Sequence, residues 1–145
     1  MAAIEHERLR GIRTTPERAR TVSEVLAQLK RRIGPGDVVL AYGGIPMVHH
    51  LTGTVPALGH PWPDVVLPAE ILGRLATLGH GRPLPVLAVA ARVDTESAQW
   101  GNPAREAPAS YERAAIFDDW LRTHGYAVVW SNREFTILEP GAKPN

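Results

Sequence analysis

Apolar side chains at helical spacing mark the first regular segment of the chain. Thr15 is suited to cap a helix, and Pro16 is suited to its first turn. Behind them, apolar residues recur every three or four positions and form one stripe: Val22, Val25, Leu26, Leu29 and Ile33. Gly-Pro-Gly at 34–36 follows, and such residues end helices. The pattern therefore predicts a helix over 16–33 with one buried face.

Two later segments have the same period. Residues 68–81 predict a helix that Pro68 opens and Gly79 ends, with four residues on its apolar stripe: Ile71, Leu72, Leu75 and Leu78. Another helix is predicted to start at a Ser110 cap and to end at Gly125, with one apolar face: Ala114, Phe117, Trp120 and Leu121. A short helical segment is expected from Pro46 to about Leu51.

Short apolar runs between these helices predict strands. "DVVLAY" at 37–42 and "LPVLAVAAR" at 84–92 lack polar alternation, which is typical of strands covered on both faces. "DVVL" at 64–67 is a candidate strand, whereas residues 52–63 are expected to be irregular. "YAVVW" and "EFTILEP", separated by "SNR", predict a C-terminal hairpin.

Alternating helices and strands predict an α/β fold. We expect a three-layer, Rossmann-like sandwich whose sheet is mostly parallel, with the C-terminal antiparallel hairpin at its edge. Residues 1–14 are interpreted as a leader or linker, 15–140 as a single α/β domain and 141–145 as a tail. Residues 93–107 are predicted to form a long polar loop, and loops of this length are often functional.

Composition argues against several kinds of site and partner. The chain has 145 residues, a formal net charge of +1 and no cysteine, so disulfides and thiolate metal sites are excluded. The balanced charge gives no reason to expect a nucleic-acid partner. Apolar residues make up 44% of the chain, yet the apolar runs are strand-sized and far shorter than the roughly 20 residues of a spanning helix.

The glycine pair that follows the first strand raises the possibility of an anion site. A strand followed by Gly43-Gly44 and a helix can aim backbone N–H groups at a phosphate. However, the dinucleotide motif needs a third glycine, the Walker motif needs Gly-Lys-Ser/Thr, and Pro46 removes one donor. We therefore favour a structural role, in which the glycines allow a tight exit from the strand and close backbone packing.

The adjacent histidines, His49 and His50, point about 100° apart on a helix, so they do not chelate one metal as an i, i+4 pair does. His60 and His80 would join them only through tertiary contact. The interpretation favoured here is that one histidine of the pair packs at the sheet end while the other is solvated. No metal and no cofactor are predicted.

Other chemistry-bearing residues favour surface or packing roles. No Gly-x-Ser-x-Gly elbow is present. Asp118 and Asp119 diverge on their helix, and Asp119 lies with Glu112 on a face expected to be solvated. Trp62 and Trp100 are expected in loops, where tryptophan stacks on a sugar, lies at a membrane interface or folds back on the core, and the last role is favoured.

If the domain binds a small ligand, the carboxyl ends of the strands are the expected place. No catalytic residue is predicted. The candidate ligand-binding residues follow the two central strands: Gly43, Gly44, His49, His50, Asp94 and Trp100.

The assembled pattern resembles a known family. The order of segments is similar to the soluble C-terminal domain of GT-C bacterial membrane glycosyltransferases, the dolichyl-phosphate-mannose–protein mannosyltransferase-like enzymes. The segments that carry the similarity are a first helix, "PGDVVLAYGGIPMVHHLTG", a later helix, and "FDDWLRTHGYAVVW" before "FTILEP". The family marks lie at Pro35-Gly36-Asp37, Leu51-Thr52-Gly53, Trp120-Leu121 and Gly125-Tyr126. The resemblance covers about residues 15–140.

This resemblance implies a role rather than a reaction. Family enzymes transfer a sugar from a polyprenyl-phosphate donor, and their catalytic acid lies near the first membrane helices. The chain would be a non-catalytic accessory domain on the extracytoplasmic face of the membrane. Its partners would be the transmembrane part of the parent enzyme and a sugar or polyprenyl-phosphate substrate. We expect the parent gene to encode a longer chain.

Two alternatives belong to other classes. One is a free-standing Rossmann-like module that binds a nucleotide or sugar phosphate at the Gly43–His50 turn. The other is a hydrolase that uses His50 with Asp94 or Glu96.

Overall fold

The computed structural model describes residues 1–92 and 108–141. Two short strands, β1 (Ala2–Ala3) and β2 (Arg13–Thr14), pair antiparallel and precede α1 (Pro16–Arg32). Then follow β3 (Val38–Tyr42), α2 (Met47–Thr52), β4 (Val55–Pro56), α3 (Pro68–Thr77) and β5 (Leu87–Ala91). The chain continues with α4 (Pro108–Thr123), β6 (Tyr126–Ser131) and β7 (Phe135–Pro140). The strand prediction for 64–67 is wrong, because a 3-10 turn (Pro63–Val65) lies there and β4 lies in the stretch expected to be irregular.

The main sheet has the strand order β4-β3-β5-β7-β6. β3 pairs parallel with both β4 and β5, whereas β7 pairs antiparallel with both β5 and β6. The prediction of a mostly parallel, Rossmann-like three-layer sandwich is therefore wrong: the fold is α/β, but the sheet is mixed, and a separate two-stranded sheet accompanies it. The predicted hairpin is present, with β7 inside the sheet.

Burial explains why β7 takes the inner position. Phe135 and Ile137 of β7 are buried, whereas β6 exposes Val128 and Val129. A strand that exposes its side chains suits the edge of a sheet, and a strand whose apolar residues are covered suits a position between two neighbours. The hairpin turn is fixed by Asn132, whose Oδ1 accepts hydrogen bonds from the N–H groups of Glu134 and Phe135 at 3.0 and 2.9 Å.

Alternate side chains of β3 and β5 contribute to two separate core clusters. Leu40 and Ala88 belong to a cluster with Ile71 of α3 and Phe117 of α4. The intervening residues of both strands, such as Val39 and Val89, belong to a cluster with Leu29 of α1 and Val48 of α2. Both faces of the central strands are thus buried, as their unbroken apolar sequences predict.

The helix predictions are largely confirmed. The hydroxyl oxygen of Thr15 caps α1 by accepting from the Arg18 N–H. α3 ends at Thr77, and Leu72 lies off its buried face with 55% of its surface exposed. α4 begins at Pro108, so Ser110 lies inside the first turn of the helix and does not precede it. The predicted loop at 93–107 lies outside the described residues.

The N-terminal residues assigned to a leader pack on α1. β1 and β2 form their two-stranded sheet beside this helix, and Ile4 and Leu9 lie against the cluster that contains Leu29. The N–H of Glu5 also donates a hydrogen bond to the hydroxyl of Ser23 at 3.0 Å.

None of the helices in residues 1–92 and 108–141 combines the length and apolar character needed to cross a membrane.

Candidate functional site

The strand order creates a crevice at the carboxyl ends of β3 and β5. These neighbouring strands are parallel. From β3 the chain runs to β4 on one side of the pair, and from β5 it runs to β6 on the other side. Where the connections of adjacent parallel strands diverge in this way, their carboxyl ends leave the gap in which α/β proteins bind ligands.

Gly43 and Gly44 begin the strand-end turn, residues 43–46, and both have a positive φ, 89° and 79°. Their N–H groups donate to the two carboxylate oxygens of Asp64, at 3.0 and 2.9 Å. Successive amides in such a turn form a concave anion site. The structure therefore contains the anion site that the glycine pair suggested, which we call the nest, and the Asp64 carboxylate of the protein itself occupies it.

Close packing makes glycine necessary at position 43. A Cβ atom there would lie 2.6 Å from the carbonyl oxygen of Ala91, at the end of β5. The predicted role of this glycine, a tight strand exit with close backbone approach, matches the observed geometry.

Tyr42, the last residue of β3, reaches across to α4. Its hydroxyl donates to Oδ1 of Asp118 at 2.6 Å, and its ring packs against Phe117 with the ring centroids 4.7 Å apart. Burial, together with the neighbouring Asp118 carboxylate, raises the pKa of Tyr42 far above its ordinary value. Tyr42 therefore serves as a hydrogen-bond donor that orients Asp118.

The histidine pair divides as expected between a buried and an exposed side chain. His49 is buried on α2, with Nδ1 3.1 Å from the hydroxyl of Thr54. Burial lowers the pKa of His49. Thr54 directly precedes Val55, which pairs with Val38 at the amino end of β3, so this contact lies at the end of the sheet opposite Tyr42. Among the described residues, neither histidine side chain forms a hydrogen bond with Tyr42, Gly43 or Gly44.

His50 is exposed, and its backbone carbonyl accepts a hydrogen bond from the Arg8 guanidinium. Trp62 is 40% exposed beside the 3-10 turn that carries Asp64. Asp94, Trp100 and Glu96, which the sequence suggested as candidates, lie outside the described residues. Within residues 1–92 and 108–141, no three potential metal ligands cluster.

A cavity of about 440 Å³ opens beside Tyr42, between α4 and the strands β5, β7 and β6. We call it the α4 cavity. Its floor consists of small and apolar residues, and its polar wall carries Asp118, Arg92 and Arg122.

Sequence reasoning missed the two aspartates that bind the end of β3 and the turn after it, Asp118 and Asp64. The sequence favours a surface role for the Asp118-Asp119 pair, and it does not indicate the contact of Asp118 with Tyr42, which lies 76 positions away. Asp64 was placed in a strand, although an aspartate that directly follows proline is typical of a turn, and this signal was present in the sequence.

Comparison of the chain with protein-family models, curated proteins and solved structures gives no significant match.

Proposed function

We propose that this chain is a non-catalytic accessory domain of a polytopic membrane glycosyltransferase that uses a polyprenyl-phosphate sugar donor. The observation that carries the proposal is the Asp64 carboxylate on the amides of Gly43 and Gly44. The nest that would bind a substrate phosphate in a nucleotide enzyme instead fastens one loop of the domain to another. Such internal use of polar groups is expected of a scaffold.

The positions of the family-like marks support a structural role. Pro35-Gly36-Asp37 and Leu51-Thr52-Gly53 contact one another at the amino end of β3: the Gly36 N–H donates to the Gly53 carbonyl at 3.0 Å, and a Cβ atom at position 53 would lie 3.4 Å from the Cβ of Pro35. Gly53 has a left-handed φ of 70° and ends α2. These two marks, 16 positions apart, thus form one joint of the fold.

The C-terminal marks form a second joint. Leu121 is buried in the α3/α4 core cluster, and Trp120 packs on Tyr126 with the ring centroids 5.7 Å apart. Gly125 has a φ of 74° and separates α4 from β6, and its carbonyl accepts from the N–H of Gly141 at 2.8 Å. A domain that shares these marks with the family would share its scaffold, and the accessory role rests on that likeness.

In this role the domain would lie on the extracytoplasmic face of the membrane. It would stabilise the transmembrane part of the enzyme or hold the acceptor or donor near the membrane surface. The active acid would belong to the membrane part of the parent.

The proposal is tested on the gene and on the protein. The DNA upstream of codon 1 should encode apolar segments continuous with this reading frame. The purified chain should release no sugar from a polyprenyl-phosphate donor, whereas membranes that contain the longer protein should transfer it and should lose transfer when residues 15–140 are deleted. Transfer by the purified chain, or an upstream region without apolar segments, would contradict the proposal.

The module that binds a nucleotide or sugar phosphate at the Gly43–His50 turn requires the ligand to displace Asp64. Thermal unfolding with a panel of nucleotides and sugar phosphates separates this alternative from the accessory domain. A rise in Tm of several degrees that disappears in Gly44→Val would favour the module.

A further inference from the structure

The loop that precedes α3 exposes large apolar side chains. We call residues 62–67 the apolar loop. Three of its side chains are 40%, 55% and 68% exposed: Trp62, Val65 and Leu67. The carboxylate of Asp64, in the same loop, occupies the nest that follows β3. The apolar loop therefore lies at the carboxyl end of this strand.

The backbone turns the three exposed side chains to one side. The Val65 N–H donates to the Trp62 carbonyl at 3.3 Å, and side chains three positions apart in such a 3-10 turn eclipse one another. Val66 is buried and extended, with φ −87° and ψ 144°. Its neighbours Val65 and Leu67 therefore point together to the opposite side, as alternate residues of an extended segment do.

Buried contacts fasten the apolar loop to the rest of the domain. Pro63 and Val66 are buried, and Nε of Arg113 on α4 donates to the Val66 carbonyl at 2.8 Å. Asp64 holds the loop to the turn after β3. A loop that is already fixed loses little conformational entropy when its exposed side meets a partner.

The residues of the apolar loop offer no free charge to a partner. Asp64 is the only ionisable residue among positions 62–67. Both of its carboxylate oxygens accept hydrogen bonds from the nest amides. What remains for contact is one aromatic and two aliphatic side chains.

The small size of this surface favours a lipid partner over a protein partner. A stable protein interface takes about 20–30 residues from each side, whereas the apolar loop supplies three exposed apolar side chains. A lipid surface requires no matching area, because single apolar side chains can leave water at the boundary between headgroups and acyl chains. Tryptophan suits this boundary, since its ring is apolar and its N–H is polar.

We propose that the apolar loop docks the domain on a phospholipid surface, with Trp62 at the level of the headgroups and with Val65 and Leu67 directed toward the acyl chains. The proposal deepens the accessory role and rests on it, because the membrane part of the parent enzyme would hold the domain beside a bilayer. It turns the carboxyl end of β3 toward the membrane.

Sedimentation with sucrose-loaded vesicles tests the docking on the full 145-residue chain. One set of vesicles is phosphatidylcholine alone, and the other contains phosphatidylcholine and phosphatidylglycerol in equal parts. Lipid is raised to about 10 mM, because a few inserted side chains bind weakly. We expect the chain to bind both sets with affinities within about threefold and to stay bound in about 0.5 M NaCl, because an uncharged contact is not screened by salt.

Variants locate the contact. Trp62→Ser and Leu67→Ser should each weaken vesicle binding about tenfold, as expected when one large apolar side chain no longer leaves water. Leu84→Ser is the matched control, since Leu84 is also exposed but precedes β5 at the opposite end of the sheet, and it should bind as the parent does. Urea unfolding checks that each variant folds.

Fluorescence gives a second readout. Vesicles with brominated acyl chains should quench the tryptophan emission of the parent protein, and they should quench Trp62→Phe less because the inserted indole is gone.

Four results would overturn the proposal: no binding to either set of vesicles; equal binding by the parent, Trp62→Ser and Leu67→Ser; binding to the phosphatidylglycerol vesicles alone that is lost in salt, which would indicate adsorption through basic residues; or a dimer in analytical ultracentrifugation that dissociates in Leu67→Ser, which would assign the apolar loop to a second copy of the chain. None of them bears on sugar transfer by the longer protein, so failure here is distinguishable from failure of the accessory role.

Discussion

Two glycines with nearly equal φ have different surroundings. Gly43, at 89°, faces the backbone of Ala91, whereas Gly36, at 86°, has open space where a Cβ would be. Alanine substitutions at these two glycines therefore compare the cost of a left-handed backbone alone, at Gly36, with the cost of a left-handed backbone plus a steric clash, at Gly43.

We expect Gly43→Ala to lower the free energy of unfolding by about 3 kcal/mol, because a left-handed backbone and a clash with Ala91 act together. Gly36→Ala should lower it by only about 1 kcal/mol. Urea unfolding followed by circular dichroism measures both. Equal losses in the two variants would show that the close approach of Gly43 to β5 is absent.

The buried imidazole of His49 makes stability depend on pH. Burial lowers the pKa of His49 below its ordinary value of 6.5, so the unfolded chain takes up this proton at a higher pH than the folded chain. The stabilisation is complete above pH 6.5 and is lost as the pH falls from there toward the lowered pKa of the folded state.

We expect the free energy of unfolding to fall between pH 7 and pH 5, and to fall less steeply in His49→Gln. His50→Gln changes the exposed neighbour and should keep the slope of the parent protein. Urea unfolding at several pH values gives these slopes. The interpretation fails if the parent and His49→Gln have the same slope.

For single residues, the sequence predicted only the features that neighbouring residues determine. The tight glycine exit and the split between one packed and one solvated histidine follow from neighbouring residues. The partners Asp64 and Asp118 lie 21 positions after Gly43 and 76 after Tyr42, and no local pattern indicates contacts across such distances.

At the scale of elements, a helix stripe identifies a buried face but not its width. The apolar period of 68–81 placed Ile71 and Leu72 on one stripe, yet Ile71 is fully buried and Leu72 is 55% exposed. Neighbouring residues lie about 100° apart, so only the packing against α4 decides which of them is covered.

Substitution of these adjacent residues should give very different losses. Ile71→Ala leaves a cavity in the core and should cost about 3 kcal/mol of unfolding free energy. Leu72→Ala removes an exposed side chain and should cost less than about 1 kcal/mol. Thermal and urea unfolding of the two variants measure the difference, and a larger loss in Leu72→Ala would contradict the orientation of α3.

Strands were harder to predict than helices for a physical reason. β4 has two residues, and it is a strand because Val55 and Pro56 pair with β3. Its own residues carry no period. "YAVVW" was predicted as one strand of the edge hairpin, and β6 does lie at the sheet edge, with Val128 59% exposed. Burial of a strand is set by its neighbours, which a single sequence does not name.

At the scale of the whole molecule, the first 14 residues belong to the packed structure. Ile4 and Leu9 lie against the cluster of α1 and the sheet, whereas Ile12 of the same segment is 49% exposed. The sequence offered no repeated pattern here, because the segment gains its order from α1.

Deletion of residues 1–14 should lower the free energy of unfolding by about 2 kcal/mol, as expected when two half-buried apolar side chains are lost. The double variant Ile4→Ser, Leu9→Ser should reproduce most of this loss, and Ile12→Ser should not. Urea unfolding compares them. A truncated chain as stable as the parent would show that the segment is only a solvated leader.

The position of β7 has a consequence for how the protein is made. The ribosome delivers residues 135–140 after every other strand of the described part of the chain, yet this segment lies between β5 and β6. Until it emerges from the exit tunnel, β5 has an open hydrogen-bonding edge and β6 has no neighbour on either side. The hydrophobic core of the nascent chain therefore stays incomplete and accessible to chaperones until β7 is inserted between β5 and β6.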